Sequence, residues 1–264
     1  MLKNTISIGR DSSVHRIGLG TNRIHDTEQS KEALRHAVAL GIDFIDTASA
    51  YSSGQSEEVI GEMLAPYGKV LIATKGGMVA PDFRIDASPK TLERQLDASL
   101  TKLKLKTIPL YFLHRVDPQV PLKESLLFLK EMQKEGKIKH IGLSQVSIEQ
   151  IEEARNYVEI VAIENEYNLS ARMYDDVIAY AEKENMVFIP FFPLHFDASQ
   201  FRILQQMREK YNATPEQLAL AWLLKRSPVM LPIPGSLSET HLRENSQAMH
   251  IQLSDEDFER LSNR

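Results

Sequence analysis

Short apolar runs alternate with longer amphipathic stretches along the whole chain. The runs are 16–20 (RIGLG), 42–46 (IDFID), 70–74 (VLIAT), 108–113 (IPLYFL), 138–143 (IKHIGL), 160–164 (IVAIE), 187–192 (VFIPFF) and 229–233 (VMLPI). Most are continuous rather than alternating, as strands buried on both faces of a parallel sheet read. The stretches between them carry apolar residues at helical spacing. Segment 28–40 has Ala33, Ala37 and Leu40 and stops at Gly41, a good residue just past a helix end. Segment 56–64 starts at Ser56. Ser88 and Pro89 open a helix to about residue 104, as N-cap and first helical residue. Further helices are predicted over 121–135, 147–156, 171–185, 198–210, 214–225, 238–249 and 254–262.

Eight strands, each followed by helix, in 264 residues make the arithmetic of a (β/α)8 TIM barrel in the α/β class. A doubly wound open sheet is the alternative. It usually carries a glycine-rich phosphate loop after its first strand, and Gly18-Leu19-Gly20-Thr21-Asn22-Arg23 does not complete that motif. Segments 5–9 and 14–16 read as a short N-terminal β-hairpin that would plug the bottom of the barrel. No Gly/Ser/Pro-rich linker divides the chain, so residues 1–264 are expected to form a single domain.

Composition narrows the function classes. The 42% hydrophobic and 25% charged fractions suit a globular protein. No run of about 18 apolar residues exists to span a membrane. With 31 Lys+Arg against 36 Asp+Glu, the net charge of -5 disfavours nucleic-acid binding by bulk charge. Cysteine is absent, which removes disulfides, thiol nucleophiles and cysteine metal sites. The N-terminus, Met1-Leu2-Lys3-Asn4, carries no apolar leader, so a cytoplasmic protein is expected.

In a barrel of this kind, active-site groups sit at the C-terminal ends of strands. The polar residues there are Asp46 with Tyr51 just beyond, Lys75, His114 and Arg115, Ser144 and Gln145, and Glu164. Asp, Tyr, Lys and His converging on one mouth suggest proton transfer. Free tyrosine has a pKa of about 10 and is a weak acid at neutral pH. A neighbouring ammonium favours phenolate, and a carboxylate holds that ammonium in place. Neutral His can donate a hydrogen bond to a carbonyl oxygen. Any one of these residues alone is better explained by packing. Four suitable groups on successive strand ends are not.

These residues carry a resemblance to the aldo-keto reductase family over nearly the whole chain. The matching pieces are Gly18-Leu-Gly-Thr21, Gly41-Ile-Asp-Phe-Ile-Asp46-Thr-Ala-Ser-Ala-Tyr51, Gly54-Gln-Ser56-Glu57, Ala73-Thr-Lys75, Leu110-Tyr-Phe-Leu-His114, the run from Gly136 to Ser144, Asn165-Glu-Tyr-Asn168, and Pro232-Ile-Pro-Gly235 with Glu244-Asn245. The opening Asn4-Thr5-Ile6-Ser7-Ile8-Gly9 and the segment through His241 are most similar to a bacterial branch containing pyridoxal reductases. The resemblance implies reduction of an aldehyde or ketone with hydride from a nicotinamide cofactor and no metal. It implies Tyr51 as general acid, Lys75 as its pKa partner, Asp46 as the anchor of Lys75, and His114 as the substrate orienter.

The resemblance also implies a cofactor site. Its residues are Gly20, Thr21, Asn22, Ser144, Gln145, Glu164, Phe191, Pro193, Leu194, Ile233, Pro234, Gly235, Ser236, His241, Arg243, Glu244 and Asn245. Three departures stand out. Gln145 replaces the usual Asn, Glu164 the usual Gln, and Phe191 the usual stacking Tyr. Some relatives carry Lys and Arg where Gly235 and His241 stand here. The family's usual cofactor makes NADPH the expectation, and the missing Lys and Arg weaken recognition of a 2'-phosphate and leave NADH possible. Arg23, Met78, Arg115, Phe192 and His195 join Tyr51 as pocket candidates for an aromatic or anionic carbonyl substrate. The expected partners are that small molecule, with no nucleic acid and no membrane; oligomeric state is open and a monomer plausible. Two other readings stay open. One is a nicotinamide-binding regulatory subunit or sensor without turnover, and the other an aldolase- or hydrolase-type barrel using Lys75 as a Schiff-base amine.

Overall fold

The computed structural model describes residues 4–263. The expectation about the N-terminal leader rests partly on residues 1–3, which lie outside the described residues. Seven parallel strands form one sheet: β3 (Leu19–Gly20), β4 (Phe44–Asp46), β5 (Leu71–Gly76), β8 (Ile108–Leu113), β9 (Ile138–Ser144), β10 (Ile160–Glu166) and β11 (Val187–Phe191). Their order in the sheet follows their order in the chain, as right-handed strand–helix–strand units require. β1 (Thr5–Ile8) and β2 (Ser12–His15) make the expected antiparallel hairpin. A second hairpin, β6 (Met78–Val79) with β7 (Arg84–Ile85), was not expected and follows β5. Turn-forming Ala80-Pro81-Asp82 between apolar residues was its signal.

The eighth expected strand, over 229–233, is not a regular strand. It makes a single parallel bridge, Phe188 with Met230. Pro232 and Pro234 have no N–H to donate, so a ladder cannot propagate there. The bridge consists of Phe188 N donating to Val229 O and Leu231 N donating to Phe188 O, both at 2.9 Å, and on the other side Gly18 N donates to Pro232 O at 3.0 Å. The segment thus lies between β11 and the entry to β3 and joins the two sheet edges. Close approach there requires glycine: a Cβ on Gly20 would stand 2.7 Å from Ile233 O. Arg16, buried, ties the same seam by donating to the carbonyls of Leu224 (3.0 Å), Ser227 (2.6 Å) and Met230 (3.3 Å).

The helices are α1 (Glu28–Ala39), α2 (Gln55–Leu64), α3 (Pro89–Lys102), α4 (Leu122–Lys134), α5 (Ile148–Arg155), α6 (Asp175–Lys183), α7 (Ala198–Tyr211), α8 (Pro215–Arg226), α9 (Glu239–Gln247) and α10 (Asp255–Ser262). Side chains of Thr27, Ser88, Ser147, Asp197, Thr214, Ser238 and Ser254 cap seven of them, satisfying amides that the first turn leaves open. The expected start of α2 at Ser56 moves one residue. Gly54 caps that helix, and the buried Ser56 hydroxyl instead bonds Thr47 Oγ1 (2.9 Å) and Thr21 Oγ1 (3.0 Å).

One apolar cluster lies between strands and helices, and a second fills the barrel. The inner cluster contains Ile8 and Val14 from the hairpin, with Phe44, Ala73, Leu110, Phe112, Ala162, Ile189, Leu231 and Ile233 from the wall. The hairpin therefore closes the bottom, as its sequence suggested. Gly142 has no side chain because the Phe112 ring occupies its place, 2.3 Å from where a Cβ would be.

Candidate active site

Side chains two residues apart on a strand share a face. That rule builds the site from the inner cluster. Two residues beyond inward Phe44 stands Asp46. Two beyond Ala73 is Lys75, two beyond Phe112 is His114, two beyond Ala162 is Glu164, and two beyond Ile189 is Phe191. A polar layer therefore caps the apolar filling at the C-terminal mouth. Tyr51 enters from the turn after β4, between Ala50 and two residues, Ser52 and Ser53, of left-handed backbone conformation.

Lys75 is fully buried and centres the layer. Its ammonium makes a very short bond to Asp46 Oδ1 and donates to Thr47 O at 3.0 Å. It also lies 3.2 Å from Glu164 Oε1 and 5.2 Å from the centre of the Tyr51 ring. The Tyr51 and His114 rings meet edge to face, centroids 6.0 Å apart. Thr21 holds the backbone of this layer, its N–H and hydroxyl both donating to Asp46 O at 3.1 and 2.8 Å.

Burial dominates the electrostatics. It pushes the Tyr51 phenol up to about 12. The Lys75 charge pulls the phenol down, as the sequence led us to expect, but the lost hydration outweighs it. Carboxyls at Asp46 and Glu164 add to the rise. Burial, with help from the charges of Lys75 and Arg115, drives His114 well below 6.5, so its ring is neutral. The Asp46 charge, with the Glu164 carboxyl beside it, holds Lys75 as an ammonium against the cost of its burial. Burial, then the charge of Asp46, raises Glu164 to about 8.

Above this layer opens a cavity of about 590 Å³. Asp46, Tyr51, His114 and Glu164 form its floor, and Lys75 lies beneath. Of the expected cofactor residues, Gly20, Thr21, Asn22, Glu164, Phe191, Pro193, Leu194, Ile233, Pro234, Gly235 and His241 line it. All the pocket candidates, Arg23, Met78, Arg115, Phe192 and His195, line it too. Phe83 from the second hairpin and Ser52 complete the wall and were not foreseen.

Six expected residues stand outside the wall: Ser144, Gln145, Ser236, Arg243, Glu244 and Asn245. The side chains of four are engaged elsewhere. Ser144 Oγ accepts from Arg115 at 3.0 Å, and that guanidinium also lies 5.8 Å from the Phe191 ring centre. Gln145 Oε1 accepts from Glu166 N at 2.9 Å. Ser236 Oγ accepts from Ser238 N at 3.1 Å, and Arg243 pairs with Glu239 at 2.7 Å, four residues back on α9. Glu244 O accepts from Gln217 at 3.0 Å, and Asn245 is buried.

The donor set suits a nicotinamide ring. Phe191 offers a half-buried aromatic face, and Glu164 Oε2 and His114 Nδ1 are buried without a hydrogen-bond partner among the described residues. A buried polar atom left unpaired is costly, so a ligand that supplies the partner gains that energy.

Comparison with known proteins agrees with this geometry. The sequence profile of the aldo/keto reductase family matches residues 16–263. Over 97% of its length the chain is 40% identical to an uncharacterized oxidoreductase of Schizosaccharomyces pombe, 88% of which is covered. It is 37% identical, over 97% of its length, to the pyridoxine 4-dehydrogenase of Escherichia coli, 96% of which is covered. The crystal structure of an aldo-keto reductase from Klebsiella pneumoniae in complex with NADPH matches with a TM-score of 0.87 at 27% identity, over 99% of this chain and 94% of that one. With barrel, polar layer and sequence profile in accord, the chain belongs to the aldo/keto reductase family.

Proposed function

We propose that this protein is an NAD(P)H-dependent carbonyl reductase that prefers NADPH and converts an aldehyde or ketone to an alcohol. The observation that carries the reading is the polar layer itself: Lys75, clamped by Asp46 and Thr47, beneath Tyr51, with neutral His114 beside it. When bound, the reduced nicotinamide supplies hydride to the carbonyl carbon. Gly20, Phe191, Glu164 and the Ile233–Pro234–Gly235 turn would hold it.

The chain's own residues manage the proton. Tyr51 stays protonated through the neutral range, so its O–H is available to the carbonyl oxygen. As negative charge develops on that oxygen, the phenol gives up its proton and the Lys75 ammonium stabilises the phenolate left behind. Asp46 keeps Lys75 in position rather than entering the reaction. His114, held neutral, orients the oxygen by a hydrogen bond. Burial of the layer excludes water and strengthens each of these interactions.

The mouth of the cavity carries Arg23, Arg115, His195 and His241 among Phe83, Phe191 and Phe192. That mixture favours an aromatic carbonyl compound bearing negative charge. Loss of reduced-nicotinamide absorbance with a panel of aromatic and anionic aldehydes tests the reading. Absence of turnover across the panel, with cofactor bound, would instead support a regulatory nicotinamide-binding role.

A further inference from the structure

We propose that Glu164 sets the charge balance of the nicotinamide slot: ionised, it holds the oxidised, positively charged ring, and protonated, it admits the neutral reduced ring. The proposal rests on the cofactor reading above and extends it to a residue that departs from the family pattern.

The geometry places Glu164 between machinery and cavity. It stands on β10 opposite Ser144 of β9 and Ile189 of β11, and it lines the cavity wall. One oxygen reaches Lys75 at 3.2 Å while the other is buried and has no hydrogen-bond partner among the described residues. Lys75 therefore has two carboxyls and one charge to share. Asp46 holds the closer contact, so Asp46 is the natural home of the first negative charge. Glu164 is the group left with a proton.

The charged and titratable neighbours of Glu164 are Asp46 from β4, Tyr51 from the turn after it, Lys75 from β5, and His114 and Arg115 after β8. Tyr51 remains protonated, Lys75 remains an ammonium and His114 remains neutral. Burial and Asp46 raise Glu164 to about 8, while Lys75 and Arg115 oppose them. Burial raises the Asp46 carboxyl as well, but Lys75 bonds Asp46 more closely than Glu164, so Glu164 is the carboxyl of this pair that carries the proton near neutrality.

Linkage gives the sign. A cationic ring beside Glu164 favours its ionised form, so binding oxidised cofactor expels the proton below about pH 8. A neutral reduced ring exerts no such pull. The phosphates are common to both cofactor forms and cancel in a ratio. A glutamine at this position has no proton to lose.

The test measures dissociation constants of NADP+ and NADPH by calorimetry, for the wild type and Glu164→Gln, between about pH 6 and about pH 9. In the wild type the preference for the oxidised form should grow roughly tenfold across this window, the equivalent of one pKa unit. Heats in buffers of different ionisation enthalpy should show a proton released on NADP+ binding near neutral pH. In Glu164→Gln the ratio should be flat and the release absent. A flat ratio in the wild type, or the same slope in both proteins, overturns the proposal. If Glu164→Gln does not fold, the wild-type ratio alone decides. If neither cofactor form binds the folded wild type, the carbonyl-reductase reading fails, and this proposal with it.

Discussion

Glu164 Oε1 stands 3.2 Å from the Lys75 ammonium, although β8 and β9 separate their strands in the sheet. Closure of the sheet brings them together above the apolar filling. The ammonium is flanked by two buried carboxyls, which makes the proton inventory of this site a quantity worth measuring.

Tyr51→Phe removes the proton donor and little else. Carbonyl reduction should fall by roughly 10²–10⁴-fold, with cofactor affinity nearly unchanged. Steady-state rates alongside calorimetry check this. Turnover like that of the wild type would take Tyr51 out of the mechanism.

Lys75→Met removes the charge that stabilises phenolate and leaves Asp46 facing Glu164 without a cation. Turnover should drop by at least roughly 10²-fold. Stability should fall by about 3–5 kcal/mol, the scale for an uncompensated buried charge. The loss should be greatest at high pH, where both carboxyls must ionise, and shrink in acid as they take up protons. Denaturant midpoints across the pH range provide the check, and a loss that does not vary with pH contradicts the pairing.

Cofactor preference should favour NADPH over NADH by roughly 1–2 kcal/mol, the scale of one charge-assisted hydrogen bond. The restraint on this preference is visible at α9. Arg243 is engaged with Glu239 at 2.7 Å, and Glu239 also approaches His36 at 3.7 Å. Glu239→Gln should release Arg243 toward a 2'-phosphate and widen the preference. Tighter binding of NADH than of NADPH by the wild type would overturn this account.

Arg16→Ala should destabilise the fold by on the order of 3 kcal/mol, because three buried carbonyls lose a charged donor together. The loss falls on the seam that joins the two sheet edges. Thermal and denaturant unfolding measure it. A change within error would show that the seam closes without Arg16.

Acid stability should depend on Asp257. Bonds from Lys210, then Tyr211, hold its carboxyl at about 2, below the ordinary 3.8. The folded form thus binds this proton less tightly than the unfolded chain does. Its stabilisation is complete above about pH 4 and fades as pH falls toward 2. Asp257→Asn should lower stability at neutral pH and flatten the acid limb of the profile. An acid limb as steep as that of the wild type would refute this.

Strand positions, helix caps and the four groups Asp46, Tyr51, Lys75 and His114 were legible in the sequence because each is a local statement. A continuous apolar run, a Ser-Pro pair or a polar residue just past a strand declares itself within a few positions. The regular eighth strand was misread because apolarity in 229–233 hid the missing N–H groups of Pro232 and Pro234. The second hairpin, and with it Phe83 in the cavity wall, was overlooked although its Pro-Asp turn was in view. Other facts belong to tertiary structure alone. The sequence marked Glu164 only as a departure from a pattern. That it shares Lys75 with Asp46, that burial rather than the ammonium governs the Tyr51 phenol, and that Arg115 rests on Ser144 follow from the closed barrel. Charges far apart in the chain are there packed into one dehydrated layer, and in that layer distance and lost hydration decide which of them keep their protons.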